Sequence, residues 1–167
     1  MDKRITRWFA CFICSFLVAG VASSAVDVGT PAPDFVLPSL ESGNLRLSEY
    51  RSEVVVLTFW SANCARCEKA IPLYSSLQQQ YGADGLNVLA ISIEGDADAA
   101  VETRAEFGVG FPLLLDQKYR VSKAFKPGRL PATVVIDRTG QVVFVEEGFK
   151  RGSDEAIAAA VSELMTK

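Results

Sequence analysis

The chain has 167 residues, of which 49% are hydrophobic and 22% charged, and its formal net charge is −3 at neutral pH. This length suits one domain with a real core, and the acidic balance argues against a nucleic-acid-binding protein, which would carry a basic patch. Because the chain has no histidine, metal sites that use imidazole ligands are excluded.

The first 25 residues have the pattern of a secretory signal peptide. Basic residues near the start precede an almost unbroken apolar stretch over residues 8–22, and small residues at 23–25 suit a signal peptidase. The apolar stretch is shorter than the roughly 18 to 20 residues of a comfortable membrane span, and an uncleaved anchor is the alternative. We therefore expect an extracytoplasmic protein, periplasmic or anchored facing the periplasm, with one domain over residues 26–167.

The domain is predicted to begin with a proline-rich lead-in and a short hairpin. Leu37 and Leu40 precede a turn around Ser42, and Leu45 and Leu47 follow it. The continuous apolar run over residues 54–60 is typical of a buried strand.

Two cysteines lie where this strand gives way to a helix predicted over residues 65–81, and Cys64 is thereby placed at the helix start. Unpaired N–H groups and a partial positive charge at a helix start stabilise a thiolate, so the pKa of Cys64 is expected to fall below the value of about 8.5 for free cysteine. Arg66 adds a cation between the cysteines. The pattern predicts that Cys64 attacks a partner disulfide and that Cys67 resolves the mixed disulfide.

A zinc site or a purely structural disulfide would account for the cysteines less well. Zinc is disfavoured because the second pair, Cys11 and Cys14, lies in the apolar N-terminal stretch, far outside the usual ligand spacing. A structural disulfide between Cys64 and Cys67 would close too small a loop to constrain much chain. We therefore expect the dithiol pair itself to be the redox group, with no metal and no separate cofactor.

Strands and helices alternate along the rest of the chain. The predicted elements are a strand over 86–93, a helix over 97–107, a short strand over 113–115, a helical turn over 119–125, strands over 132–136 and 141–146 around a tight turn, and a last helix from Ser153, its expected cap, to about Met165. Such alternation implies parallel strand pairing with right-handed crossovers. The fold class is α/β, with a mixed central sheet flanked by helices and an N-terminal β-hairpin.

The sequence resembles the TlpA/ResA-like branch of the thioredoxin superfamily over about residues 28–165. The matching segments are the lead-in 29–35, residues 54–67, Pro72, Phe111-Pro112 with Leu115-Asp116, and residues 130–133. The resemblance implies a thioredoxin-like fold and an exported thiol-disulfide oxidoreductase.

The resemblance also implies substrate-binding residues. Pro131 would follow a cis peptide bond and face the active disulfide, and the main chain of Leu130 would pair with an extended substrate. Trp60, four residues before Cys64, is assigned to the same group as an aromatic residue packed beside the site, and a plain core tryptophan is the alternative.

Three positions depart from the family pattern. The thioredoxin branch has a buried aspartate six residues before its first cysteine, where this chain has Thr58. ResA-like members place a glutamate after the second strand, and Glu94 lies within one position of it. Glu94 is therefore a candidate acid/base and pKa-tuning residue, with a solvated carboxylate at the strand end as the alternative. The third position is Arg66, where the family commonly has proline; we expect Arg66 to tune the pair, because a stabilised thiolate favours a more oxidising potential.

The leading hypothesis is an extracytoplasmic thiol-disulfide oxidoreductase that acts as a reductant, for example in cytochrome c maturation. Its expected partners are protein thiols and disulfides and a membrane thiol donor, not nucleic acid, and a monomer is expected. A peroxiredoxin shares the Ala-Pro-Asp-Phe lead-in, and Ser61 fits its active loop, but Leu57 occupies the position of its proline. A thiol-based Cu(I)-binding or chaperone module is the non-enzymatic alternative.

Overall fold

The computed structural model describes residues 26–41 and 43–166. The predicted signal peptide with Cys11 and Cys14 lies outside these residues, as does Ser42 of the predicted turn, so these expectations stay predictions. Among the helices of the described part, none is long and apolar enough to cross a bilayer.

Most elements begin and end where the sequence predicts. The strands are β1 (Val36–Pro38), β2 (Asn44–Arg46), β3 (Val54–Trp60), β4 (Leu86–Ser92), β5 (Leu113–Leu115), β6 (Ala132–Ile136) and β7 (Val142–Glu147), and the helices are α1 (Ala65–Tyr81), α2 (Ala97–Phe107), α3 (Arg120–Phe125) and α4 (Ser153–Met165). Short 3-10 turns cover Leu47–Tyr50 and Gly82–Asp84. Strand β4 ends one residue earlier than predicted, α3 begins one residue later, and β7 is shifted by one residue.

The central sheet has five strands in the order β5-β4-β3-β6-β7. Strand β3 pairs in parallel with β4, and β4 with β5, whereas β6 runs antiparallel to both β3 and β7. The first two strands form the separate antiparallel hairpin. The predicted mixed sheet with an N-terminal hairpin is therefore confirmed.

Strand β3 is buried along its whole length and supplies both sides of the core. Because successive side chains of a strand point to opposite faces, its residues divide between two apolar clusters. Val54, Val56 and Trp60 join the cluster that contains α1 and α4, whereas Val55, Leu57 and Phe59 join the cluster that contains the lead-in and α3. The site is positioned by β3, which ends directly before the two cysteines.

The prediction that Ser153 caps α4 is wrong. The N-cap is Gly152, at φ +85°, and Ser153 is the first residue of the helix. A left-handed backbone at the cap favours glycine, which has no Cβ. The Ser153 hydroxyl instead donates to a carboxylate oxygen of Glu146 at 2.8 Å and accepts from the Lys150 N–H at 3.0 Å, so it ties α4 to β7.

Candidate functional site

Cys64 is the N-cap residue of α1 and is joined to Cys67 by a disulfide, with 5.2 Å between their Cα atoms. The Cys67 N–H donates to Cys64 Sγ at 3.2 Å and to the Cys64 carbonyl oxygen at 2.8 Å. One amide of the helix start therefore reaches the sulfur of Cys64. An N–H aimed at this sulfur favours its thiolate after reduction.

The two sulfurs differ in access. Cys64 is half-buried, whereas Cys67 is only 4% exposed and belongs to the apolar cluster beneath α1. A partner protein can therefore reach Cys64 before it reaches Cys67. This asymmetry is the one that the predicted roles of nucleophile and resolving thiol require.

Glu94 contacts the loop that leads into Cys64, not the buried sulfur. One carboxylate oxygen of Glu94 accepts from the Ser61 hydroxyl at 2.7 Å, and the other accepts from the Ala62 N–H at 3.4 Å. The Ser61 Oγ in turn accepts from the Asn63 N–H at 3.3 Å. The Glu94 carboxylate therefore joins the end of β4 to the loop before Cys64 through hydrogen bonds. The acid/base role of Glu94 stays a prediction.

The turn that carries Glu94 requires a glycine at its next position. Gly95 has φ +63°, and an added Cβ would lie 2.5 Å from the Cα of Gln117. A side chain would therefore clash with fixed main chain in an already unfavourable backbone conformation. Close packing of this turn against the segment after β5 fixes where Glu94 emerges.

The loop before β6 contains a cis peptide bond between Leu130 and Pro131, and Pro131 lines the same small cavity as Cys67. The carbonyl oxygens of Arg129 and Pro131 both accept from the Gly148 N–H, at 2.7 and 2.9 Å. In the described part of the chain, the Leu130 main chain has no hydrogen bond of its own. Leu130 therefore keeps an N–H and a carbonyl that can pair with an extended partner segment.

Trp60 lies behind the site instead of forming a platform on its surface. Its side chain is 6% exposed and packs in the cluster of Cys67 and Tyr74. Trp60 therefore lies in the core next to Cys67, and burial leaves little of the ring for a partner to contact. Its assignment to substrate binding stays a prediction.

Hydroxyl groups lie where the thioredoxin branch has its buried aspartate. Thr58 and Thr133 face each other across β3 and β6, and both are buried. The Tyr74 hydroxyl and Thr133 Oγ1 form a hydrogen bond at 2.8 Å. Burial raises the pKa of Tyr74, and its hydrogen bond with Thr133 offsets this only in part, so Tyr74 stays protonated.

The surfaces on the two sides of the site carry opposite charge. A groove of about 110 Å³ beside Cys67 is lined by Glu68, Glu102 and Glu106. A second groove of about 420 Å³ lies along the Leu130 side and is lined in part by Lys123 and other lysine, aromatic and apolar residues. Arg66, the predicted tuning cation, is exposed and has no ion pair within the described residues.

Comparison with known proteins identifies the family. A profile of the AhpC/TSA family matches residues 28–145. The chain belongs to the AhpC/TSA family. Thiol-disulfide oxidoreductase ResA of Geobacillus kaustophilus (strain HTA426) is 41% identical over 120 residues, which cover 71% of this chain and 68% of the relative. ResA of Bacillus subtilis (strain 168) is 30% identical over 125 residues, which cover 74% and 69% of the two chains.

Solved structures support the same assignment. A crystal structure described as a thiol:disulfide interchange protein DsbE, from Chlorobium tepidum, superposes with a TM-score of 0.80 at 28% identity, covering 84% of this chain and 99% of that chain. The ResA-like resemblance and the thioredoxin-like fold are therefore confirmed. The protein is a thiol-disulfide oxidoreductase whose redox group is the Cys64–Cys67 pair and whose substrates are protein thiols.

Sequence reasoning missed two parts of the site. It considered Ser61 only as a peroxiredoxin residue, although Ser61 links Glu94 to the loop before Cys64. It also missed the hydrogen bond between Tyr74 and Thr133, which are 59 positions apart in the sequence. The strand pattern could have predicted that Thr58 and Trp60 lie together beside Cys67. They are two residues apart on one strand and therefore share a face of the sheet.

Proposed function

We propose that this oxidoreductase works outside the cytoplasm as a reductant of partner disulfides, for example between the haem-attachment cysteines of an apocytochrome c. The N-terminal segment exports it and is then removed, or stays as an anchor. A membrane thiol donor returns electrons to the oxidised protein, which works as a monomer with no cofactor or metal besides its two cysteines. The signal-like N-terminus and the ResA-like relatives support this proposal.

The observation that carries the proposal is the difference between the two sulfurs. Cys64 is accessible and receives an N–H from the first turn of α1, whereas Cys67 is buried. In a pair of this kind the accessible sulfur attacks the partner first. The buried sulfur then attacks the mixed disulfide, which forms next to it.

The reaction begins with the reduced protein. The Cys64 thiolate attacks one sulfur of the partner disulfide, and the other partner sulfur leaves as a thiolate. The Cys67 thiol then loses its proton, and its sulfur attacks Cys64 Sγ, so the bond between Cys64 and the partner breaks. The partner gains two electrons and takes up two protons from solvent, Cys67 releases one proton to solvent, and Cys64 and Cys67 become the disulfide.

The loop at Pro131 positions the partner in this proposal. The free N–H and carbonyl of Leu130 pair with an extended segment beside the partner cysteine. Because main-chain pairing is independent of the partner's side chains, it suits an enzyme that acts on several proteins. The acidic groove at Cys67 and the lysine-lined groove at Leu130 then favour one direction of that segment.

The proposal is tested with an oxidised peptide that contains Cys-Xaa-Xaa-Cys-His, the haem-attachment motif of c-type cytochromes. The reduced protein should convert the peptide to its dithiol, as measured by alkylation and mass spectrometry. The Cys64→Ser variant should be inactive, and the Cys67→Ser variant should accumulate a covalent complex with the peptide. The reductant proposal fails if the reduced protein leaves the peptide oxidised, or if the oxidised protein withdraws electrons from the reduced peptide instead.

The alternatives predict different results with the same reduced protein. A peroxiredoxin would consume hydrogen peroxide in repeated turnovers when a thiol reductant is supplied, and a Cu(I)-binding module would retain the metal through gel filtration at neutral pH. We expect neither result. Trapping of protein partners by the Cys67→Ser variant in the periplasm would then identify the physiological substrate.

A further inference from the structure

A small cavity lies directly behind the buried cysteine, between the sheet and α1. Its volume is about 20 Å³, and its walls include Thr58, Trp60, Cys67 and Tyr74. Roughly 10 to 15 Å³ is enough for one water molecule. The cavity therefore has room for a single water beside the sulfur that must resolve the mixed disulfide.

Two buried polar side chains, Thr58 and Trp60, line this cavity. Thr58 Oγ1 and Trp60 Nε1 are buried, and neither has a hydrogen-bond partner within the described residues. Both residues belong to β3 and are two positions apart, so they share one face of the strand. Since buried polar groups are normally bonded either to protein or to ordered water, this pair points to a bound ligand.

The donor and acceptor properties of these groups suit a water molecule. The indole N–H of Trp60 can only donate, whereas the Thr58 hydroxyl can donate or accept. A water that accepts from Trp60 and donates to Thr58 keeps one lone pair, which can accept from the Cys67 S–H. Apart from Cys67 and Tyr74, the cavity walls carry no ionisable side chain, so no carboxylate competes for that proton.

The cavity also adjoins a route to solvent. Trp60, Cys67 and Thr103 line both the cavity and the acidic groove of about 110 Å³ on the surface. The exposed carboxylates of Glu102 and Glu106 lie on the outer part of that groove. A proton that leaves Cys67 through the cavity would therefore reach a surface rich in proton acceptors.

We propose that Thr58 and Trp60 hold a water molecule behind Cys67, and that this water takes up the Cys67 proton and passes it to the acidic groove during resolution. This inference rests on the proposed roles of Cys64 and Cys67. In the step, the S–H bond of Cys67 breaks, its sulfur bonds to Cys64, and the partner sulfur leaves with the electron pair of the broken disulfide. The proton of Cys67 reaches solvent through the groove. The departing partner thiolate takes up a proton from solvent. Thr58 and Trp60 are positioning residues, since they act through the water.

The experiment follows the reaction of the reduced full chain with equimolar 5,5′-dithiobis(2-nitrobenzoate) by stopped flow. Attack by Cys64 releases one thionitrobenzoate at a rate that depends on reagent concentration, and resolution by Cys67 releases the second at a rate that does not. Thr58→Val removes the hydroxyl and keeps the shape, and Trp60→Phe removes the N–H and keeps an aromatic ring. Val55→Ala is the control for general loosening of the core, because Val55 is buried on the opposite face of β3 and does not line the cavity.

Thr58→Val and Trp60→Phe should each slow the second release about three- to tenfold at neutral pH, the worth of one hydrogen bond, and leave the first release unchanged. The pH profile of the second release should move to higher pH, and Thr58→Ser should restore both rate and profile. Val55→Ala should match the wild type in both phases.

The inference is overturned if Thr58→Val and Trp60→Phe both resolve at the wild-type rate and pH profile. It is also overturned if Val55→Ala slows resolution as much as Thr58→Val does, because a general loosening of the core would then be the cause. A wild-type protein that never releases the second thionitrobenzoate would contradict the proposed role of Cys67 itself. The two failures are therefore distinguishable.

Discussion

The two faces of the central sheet differ in their polar content, although the same strands build both. On the face beneath α1, Thr58, Thr133 and Tyr74 bring buried hydroxyl groups next to the cysteines. On the opposite face, the buried side chains contributed by β3 and β6 are all aliphatic or aromatic. Alternate residues of one strand therefore serve different purposes, with the chemistry on one face and apolar packing on the other.

The apolar face is organised around an aromatic residue of α3. The Phe125 ring lies 5.4 Å from the Phe59 ring and 6.1 Å from the Phe35 ring, measured between centroids. Phe35 comes from the lead-in, so this contact joins the N-terminal segment and α3 to the sheet. None of these three rings lines the cavity behind Cys67.

The largest expected effect comes from Phe125→Ala, which should lower the free energy of unfolding by about 3–5 kcal/mol, the usual cost of removing a buried phenylalanine ring. Urea denaturation of the oxidised protein measures this change. Both thionitrobenzoate release rates of the folded variant should equal those of the wild type. Altered release rates in Phe125→Ala would contradict the separation of packing from chemistry between the two faces.

The polar face is tested by Thr133→Val, which leaves the Tyr74 hydroxyl buried without its partner. We expect a loss of about 1–3 kcal/mol in the free energy of unfolding, the cost of an unsatisfied buried hydroxyl. Tyr74→Phe in the same background should recover part of this loss, because no polar group is then stranded. A double-mutant cycle measures the coupling, and additive losses would show that the two hydroxyls do not depend on each other.

A smaller effect is expected at the loop before Cys64. Glu94→Ala should lower the free energy of unfolding by about 0.5–1.5 kcal/mol, because Ser61 Oγ and the Ala62 N–H lose their acceptor. Ser61→Ala is the matched variant, since it breaks one of the same contacts without changing charge.

Glu94→Gln distinguishes a role in holding the loop by hydrogen bonds from the acid/base role that the sequence predicts. The amide can still accept from Ser61 but cannot exchange a proton at neutral pH. If Glu94 only positions the loop, Glu94→Gln should leave the rate and pH profile of the second thionitrobenzoate release unchanged. A slower second release with a shifted profile would support the acid/base role instead.

Much of the fold is predictable because local patterns determine its elements. The apolar run of β3, the helix that follows the cysteines and the spacing of α2 give element bounds within a residue of the structure. The start of α4 was misjudged because serine is a common cap, whereas the backbone conformation that places Gly152 at the cap depends on tertiary packing.

In the candidate site, the two cysteines were predictable from the sequence, whereas the contacts around them were not. The cysteine spacing and the helix start identify Cys64 and Cys67 without any long-range information. The contacts of Glu94 were not predictable, since its partners Ser61 and Ala62 lie more than thirty positions away, and a one-residue shift in the end of β4 changes where its side chain points. The unpartnered atoms of Thr58 and Trp60 likewise depend on what α1 brings against the sheet.

The smallest expected effect concerns the lead-in of the apolar face and depends on pH. Burial raises the pKa of Asp34, but hydrogen bonds from the Ser48 N–H, the Arg46 guanidinium and the Ser48 hydroxyl outweigh it, so the folded pKa is lowered. A lowered folded pKa means that this carboxylate stabilises the fold above the pKa of the unfolded chain, about 3.9, and that the contribution is lost as pH falls through the folded value. Because Asp34 is partly exposed, its contribution at neutral pH should be well under about 1 kcal/mol. Asp34→Asn should therefore shift the urea midpoint slightly at pH 7 and by less at pH 2.5, and a shift of equal size at both pH values would assign the effect to shape instead of charge.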